Sequence, residues 1–333
     1  MSRVLSDGLR SYGLPLAVLA VTWLVISLIT PSFRGTASFY AVLEGFPLVG
    51  LVALGLSVTI IAGEFDLSVG SMAALAAVIA VQTSPTGLIG CIAIATVAGV
   101  ALGALQGALI ARLRINSLVF TIGTLILLRG LTYILSGHAP IIIQNIEITD
   151  PLLARYWIFS VSSLTALVVF VLAGLFLTYT QWGREIFAIG GARNEAIAAG
   201  VPPVRPLTMS FAVSAGCASL AGALAATRGG SAAPQNYEDL LLSAAAAALL
   251  GGISLYGGRG TVFNVALGVA VLSVVGAGLA ARGTTASLVQ LVTGALLLAM
   301  IAIEYLAGRL AVSETVLGRA LARRTAGSGE WRT

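Results

Sequence analysis

Ten stretches of about 20 apolar residues recur along this chain, and that recurrence limits its fold more than any other feature. A helix needs about 20 such residues to cross the hydrocarbon core of a bilayer. The stretches lie, to within a few residues, at 13–31, 40–63, 67–84, 87–111, 117–136, 160–181, 207–227, 240–257, 262–281 and 286–306. A polar tail occupies 307–333. Only 9% of the residues are charged and 58% are hydrophobic, whereas a soluble domain carries roughly 25% charged residues. The expectation is an all-α integral membrane protein, a single domain over 1–333 with about ten transmembrane helices between about 13 and 306.

Arginine placement orients those segments. All 18 basic residues are arginine. If the segments alternate, Arg3, Arg10, Arg112, Arg114, Arg184, Arg193, Arg205, Arg259, Arg309, Arg319, Arg323 and Arg324 fall on one face. The arginine-rich face is the cytoplasmic one, which puts both termini there. Arg34, Arg155, Arg228 and Arg282 lie elsewhere, so the bias is partial. Arg3 and Arg10 precede the first segment as in a signal peptide, but no small-residue cleavage site follows, and an uncleaved anchor is expected.

Several chemistries are excluded by what is missing. Without lysine there is no phosphate-binding P-loop and no Schiff base. His138 is the only histidine, and Cys91 and Cys217 sit inside apolar runs as small packing residues. That inventory gives no metal centre, no disulfide, and no nucleophile with a base. Membrane topology accounts for the basic charge without nucleic acid.

The polar residues are few enough to weigh singly. The stretch Gly183–Pro206 is the one long charged loop between apolar segments, with Arg184, Glu185, Arg193, Asn194 and Glu195. It contains a short helix by its signals, with Asn194 and Glu195 early and Gly200 then Pro202 as stops. Such a helix buries little by itself and reads as a surface for a partner. Glu64 and Asp66 lie between the second and third segments; Asp66 with Ser68 either caps the third segment or lines a pathway. Ser71 follows within that segment. Thr121, Thr124 and Arg129 interrupt the fifth segment; Arg129 either snorkels to the interface or pairs with Glu64 or Asp66. Gln235 and Tyr237, in Gly229–Asp239, either face solvent or dip into the bundle to meet a solute. Ser254, Tyr256 and Arg259 lie in a glycine-rich stretch of the kind that breaks helices in transporters. Gly99, Gly103 and Gly107, four residues apart, make a face for close helix packing. Gly63–Gly70 echoes Gly251–Gly258, and 109–119 echoes 279–289; a duplicated half and chance similarity in glycine-rich sequence both account for this.

Four motifs, in order, carry a resemblance. They are Gly63-Glu-Phe-Asp-Leu-Ser-Val-Gly-Ser71, Thr121-Ile-Gly-Thr-Leu-Ile-Leu-Leu-Arg-Gly-Leu131, Gly183-Arg-Glu-Ile-Phe-Ala-Ile-Gly-Gly-Ala192 through Gly200-Val201, and Leu250-Gly-Gly-Ile-Ser-Leu-Tyr-Gly-Gly-Arg-Gly260. With them the chain resembles the permease subunits of bacterial ABC importers for sugars, the ribose, xylose and galactofuranose group. Permeases for branched-chain amino acids are more distant relatives of that group. Glu64-Phe65 stand where the family pattern has Gly-Ile, Ala192 stands where Asn is usual, and Glu195 is displaced by one position.

The resemblance implies a transport subunit of the inner membrane rather than an enzyme. It implies a second permease chain, a partner ATPase that binds ATP and Mg, and a periplasmic binding protein that delivers a small solute, most simply a monosaccharide. It also implies that the loop at about 182–206 is the coupling element docking on the ATPase, with Arg184, Glu185, Arg193, Asn194, Glu195 and Gly200 as its residues. The pathway candidates are Asp66, Ser68, Ser71, Thr121, Thr124, Arg129, Tyr237 and Ser254. The rival readings are a proton-driven transporter using Glu64, Asp66 and Arg129, a branched-chain amino acid permease, and a membrane enzyme or scaffold docking through the polar loop.

Overall fold

A computed structural model describes residues 2–299, apart from Ala286, together with Ala302. The tail 307–333 and the end of the tenth segment lie outside the described residues. The chain is almost wholly helical. In order, the helices are α1 (Ser2–Ile29), α2 (Thr36–Ile61), α3 (Val69–Gln82), α4 (Leu88–Leu113), α5 (Ser117–Ser136), α6 (Asp150–Leu153), α7 (Val161–Tyr179), α8 (Gln181–Gly191), α9 (Arg193–Ala198), α10 (Val204–Gly229), α11 (Leu240–Leu250), α12 (Val262–Ala280) and α13 (Ser287–Ala299). Two small antiparallel ladders decorate the loops, Ile141–Ile142 with Ser231–Ala232 and Arg155–Tyr156 with Phe159–Ser160. Both lie on the face opposite α8 and α9.

Local chemistry sets the helix ends. The Asn116 side chain accepts a bond from the Leu118 N–H at 2.9 Å to start α5, which stops at Gly137 with φ 65°. Ser160 and Ser163 satisfy each other's N–H groups in a reciprocal cap that starts α7. Thr261 accepts from Asn264 N–H to start α12. In lipid such caps matter more than in water, because no solvent takes the orphan N–H groups.

Among the described residues six helices are long and apolar enough to cross a membrane: α2, α4, α5, α7, α10 and α12. Gly13–Ile29 within α1, and all of α3, α11 and α13, are apolar but shorter. Among the described residues each apolar stretch holds a helix, the tenth over Ser287–Ala299 only, with two corrections. The stretch 67–84 holds a helix of 14 residues and 240–257 one of 11 residues, about 21 Å and about 16 Å long at 1.5 Å per residue. Neither covers a hydrocarbon core of about 30 Å. In 240–257 hydropathy runs past the helix end because the interruption is made by glycine, Gly252 and Gly257 both taking positive φ, while α3 gives up only the residues at either end of its stretch, from Ser68 back and from Thr83 on.

The core gathers around α10, which runs against α2, α3 and α4 and is buried along most of its length. The α4–α10 seam is where the glycine stripe acts. Gly107 packs on the Leu207 carbonyl, a Cβ there falling 2.5 Å from the oxygen, while Gly103 faces the Phe211 carbonyl and Gly99 faces Ser219. The backbones therefore touch, and dispersion rather than water exclusion holds the seam. Gly103→Ala is expected to destabilise the protein by about 1–3 kcal/mol, the usual range for overpacking. Gly123→Ala on α5, with nothing within 4 Å of the new carbon, is expected to be neutral or slightly stabilising. Thermal unfolding of the two variants in one detergent checks the contrast.

Candidate functional site

The two short helices begin where they meet. Gly70, in the first turn of α3, lies so close to the loop before α11 that a Cβ would sit 2.9 Å from the Tyr237 carbonyl and 3.9 Å from the Leu241 nitrogen. The far end of α3 reaches the rim where α5 ends, with Gln82 donating to the Leu135 carbonyl at 2.5 Å. The far end of α11 reaches the opposite rim. The paired N-termini thus lie within the thickness of the bundle. Helix N-termini carry partial positive charge and unpaired N–H groups, and broken helices aimed this way are how transporters build solute sites.

Between them is a cavity of about 70 Å³ lined by Gly70, Ser71, Arg129, Tyr237, Glu238 and Leu241, among others. Arg129 on α5 bonds Glu238 at 2.5 Å, so the wall is polar but balanced in charge. Tyr237 takes φ 69°, a conformation unusual for a bulky residue and one that tends to collect at functional sites. The volume holds two waters or so at about 30 Å³ each. It falls short of the roughly 300 Å³ at which small-molecule sites begin. In this conformation the site is small and reaches the surface beside Arg129 and Glu238, whose side chains are 39% and 51% exposed.

Three sequence candidates, Ser71, Arg129 and Tyr237, come together here. Within Gly229–Asp239 only Tyr237 of the two candidates turns toward the bundle; Gln235, like Asn236, Glu238 and Asp239, is exposed. Arg129 does pair with an acid, but with Glu238 rather than Glu64 or Asp66. Glu238 was missed; its signal was a carboxylate at the head of an apolar segment, where an embedded arginine needs a partner. Ser254 lies apart, in the loop after α11, where its hydroxyl accepts from the Tyr256 N–H at 3.3 Å. Thr124 bonds the Phe120 carbonyl on its own helix at 3.0 Å, and Thr121 reaches the Phe65 carbonyl at 3.4 Å.

Behind the cavity, Asp66 is 1% exposed and ties three elements together. Its Oδ1 accepts from the Ser68 N–H at 3.0 Å, the Ser68 hydroxyl at 2.6 Å and Gln106 Nε2 of α4 at 3.3 Å. Its Oδ2 accepts from the Ser214 hydroxyl of α10 at 2.9 Å. Asp66 thus shapes the loop that enters α3 without capping it, since no side chain bonds the free N–H groups of the helix's first turn, and its reach to α4 and α10 goes well beyond that loop.

On the opposite side of that loop stands the charged elbow. The polar stretch forms two helices, α8 and α9, where one was expected; α9 begins at Arg193 and ends before Gly200, whose φ is 91°. Arg193 forms an ion pair with Glu64 of the loop 62–68. Gly190 presses on the Ile61 carbonyl so closely that any side chain would overlap it, and Gly258 donates its N–H to that same oxygen at 2.8 Å. A Cβ on Gly257 would stand 3.0 Å from the Gly63 Cα. The two echoing glycine stretches are therefore in contact, with the end of α8 wedged between them. Arg184, Arg193, Asn194, Glu195 and Gly200 are exposed. Glu185 is not: it is 7% exposed, turned inward, and accepts from Gln181 Nε2 at 3.0 Å.

A helical membrane bundle with two half-helices meeting over a polar cavity and a charged elbow on one face has the parts from which transporters are built. Residues 38–301 match the family model described as branched-chain amino acid transport system / permease component, and the chain belongs to that family. It is 31% identical over 257 residues to the L-arabinose ABC transporter permease protein AraH of Azospirillum brasilense, covering 77% of this chain and 76% of that one. It is 28% identical over 306 residues to the ribose import permease protein RbsC of Bacillus subtilis, covering 91% and 95%. To the L-arabinose transport system permease protein AraH of Escherichia coli it is 30% identical over 275 residues, covering 79% and 81%. No solved structure matches the chain.

Two outcomes follow from this geometry. Asp66→Leu strands the donors of Ser68, Gln106 and Ser214 and is expected to cost about 1–3 kcal/mol for each one left buried and unpaired, whereas Asp66→Asn keeps an acceptor and costs less; the melting temperatures of the two variants test this. Glu64 is 9% exposed at its side chain and Arg193 44%, so a double-mutant cycle of Glu64→Gln and Arg193→Gln is expected to return a coupling energy of about 0.5–2 kcal/mol. A value near zero removes the tie between elbow and loop.

Proposed function

We propose that this chain is the transmembrane subunit of an ATP-driven ABC importer that moves a small neutral sugar handed over by a periplasmic binding protein. The observation that carries the reading is the pairing of a small polar cavity at two half-helix N-termini with an exposed charged elbow one loop away. In this reading the elbow face is cytoplasmic, both termini lie there, and the ten helices include two that go only part of the way across. The elbow docks on a separate ATPase, a second permease chain completes the pathway, and ATP and Mg bind in the ATPase. Closure of the ATPase pushes the elbow, and the cavity opens to one side or the other. Relatives named for arabinose, ribose and allose support a monosaccharide, as does a cavity whose charges cancel.

The family description also names branched-chain amino acids, and the Arg129–Glu238 pair has the charges to hold a zwitterion. A proton-driven transporter acting alone is disfavoured, because Glu64 and Glu238 are each in an ion pair and Asp66 accepts four bonds.

Reconstitution in liposomes tests the reading. ATP-dependent uptake of a neutral pentose or hexose is expected only with the ATPase and binding protein present. Arg193→Ala and Glu195→Ala are each expected to lower it about tenfold, a loss of about 1.4 kcal/mol in coupling. Uptake by the chain alone overturns the importer reading, and uptake of leucine in place of sugar moves the substrate to the amino acid class.

A further inference from the structure

A second cavity lies on the face opposite the elbow, where the ends of α2, α7 and α10 draw apart. It encloses about 280 Å³, four times the first cavity's 70 Å³. Glu44, Pro47, Ser162, Leu224 and Arg228 are among its walls. Arg228 bonds Glu44 Oε1 at 2.8 Å and also donates to the Leu152 carbonyl of α6 at 2.8 Å, so α6 fixes the guanidinium in place. Two polar atoms of the wall have no partner. They are the other carboxylate oxygen, Glu44 Oε2, and the hydroxyl of Ser162, a residue only 3% exposed. Buried polar atoms are ordinarily satisfied, so these two ask for an occupant.

The chemistry of the wall narrows what fits. Arg228 neutralises Glu44, so a charged ligand would bring an unbalanced charge into a partly buried space. Glu44 Oε2 is an acceptor only, and Ser162 both gives and takes a bond. Beside these stand Pro47, Leu224 and Ala225, an apolar surface. A hydroxyl edge next to a C–H face is what a sugar ring presents. The volume lies just below the roughly 300 Å³ at which small-molecule pockets begin, which suits a small ring and excludes larger ligands.

We propose that the cavity between α2, α7 and α10 is a separate binding site for a neutral, hydroxyl-bearing solute, with Glu44 and Ser162 as its hydrogen-bonding residues. Its assignment to a sugar rests on the importer reading above. The site lies on the face that this reading makes periplasmic, so it is placed to hold a solute outside the first cavity. A hydroxylated lipid headgroup such as glycerol shares this chemistry, and the experiment separates the two sources.

The test uses Ala225→Cys, a half-buried position of the same cavity wall, in the full chain held in phosphatidylcholine nanodiscs. The native Cys91 and Cys217 are buried, and the unsubstituted chain serves as the blank. The introduced thiol is expected to react with a water-soluble cationic methanethiosulfonate. Millimolar L-arabinose or D-ribose is expected to slow that reaction at least tenfold, leucine is expected not to, and Glu44→Ala in the same background is expected to remove the protection. Equilibrium dialysis of radiolabelled sugar against the native chain and Ser162→Ala gives an independent reading, with binding expected to fall by a similar factor.

An unreactive thiol, a thiol that neither sugar protects, or equal protection by leucine overturns the site. So does protection by phosphatidylglycerol in the nanodisc without sugar, which assigns the cavity to a lipid headgroup. Sugar uptake in liposomes without protection sinks this site and leaves the importer reading standing. Protection without uptake does the reverse.

Discussion

At hydrocarbon depth no water is available to take up a backbone hydrogen bond, and the rest of this structure depends on how that constraint is met where its helices stop. Two helices end or begin inside the bundle. The break before α3 is closed by the Asp66 carboxylate, which takes the Ser68 N–H and anchors the loop to α4 and α10 through Gln106 and Ser214. The break after α11 is closed by backbone alone: Gly252 and Ile253 return their N–H groups to Leu249 and Ala248, and Gly258 gives its own to Ile61. One break uses a charged side chain and the other uses glycine. Both serve the same end, which is to let non-helical chain lie against other protein rather than lipid.

Much of this was legible in the sequence, and the exceptions have a common cause. Helix existence followed from apolar length, and the Gly99–Gly103–Gly107 stripe announced the tight α4–α10 seam. Ser71 and Arg129 stood out as polar groups inside apolar segments and Tyr237 as the aromatic of a polar stretch, and the three share a cavity. The length of α11 was not legible, because hydropathy does not distinguish a leucine in a helix from one beside a positive-φ glycine. Pairings were not legible either. Arg129 has carboxylates available on several sides, and only the course of Gly229–Asp239 decides for Glu238. The pocket at Glu44, Ser162 and Arg228 joins residues from three distant segments, each unremarkable alone, and no spacing rule connects them.

The loop 62–68 joins the surface elbow to the wall of the cavity. Glu64 in that loop holds Arg193 at the start of α9, and Ile61 just before it meets Gly190 at the end of α8. A few residues on, Leu67, Gly70 and Ser71 form part of the cavity wall. The same short run of chain therefore touches the elbow at one end and the solute space at the other. Coupling between distant sites needs an element with more than one arrangement, and a long helix fully bonded along its length resists rearrangement. A loop held by an ion pair, a few side-chain bonds and glycine contacts does not carry that cost, since its bonds can exchange partners without breaking a helical ladder. Asp66 sits at the centre of the run and fixes its resting shape to α4 and α10, so movement of α8 is resisted by the bundle until the loop itself shifts. The break before α3 is thus also the joint at which the elbow and the cavity wall share one short run of chain.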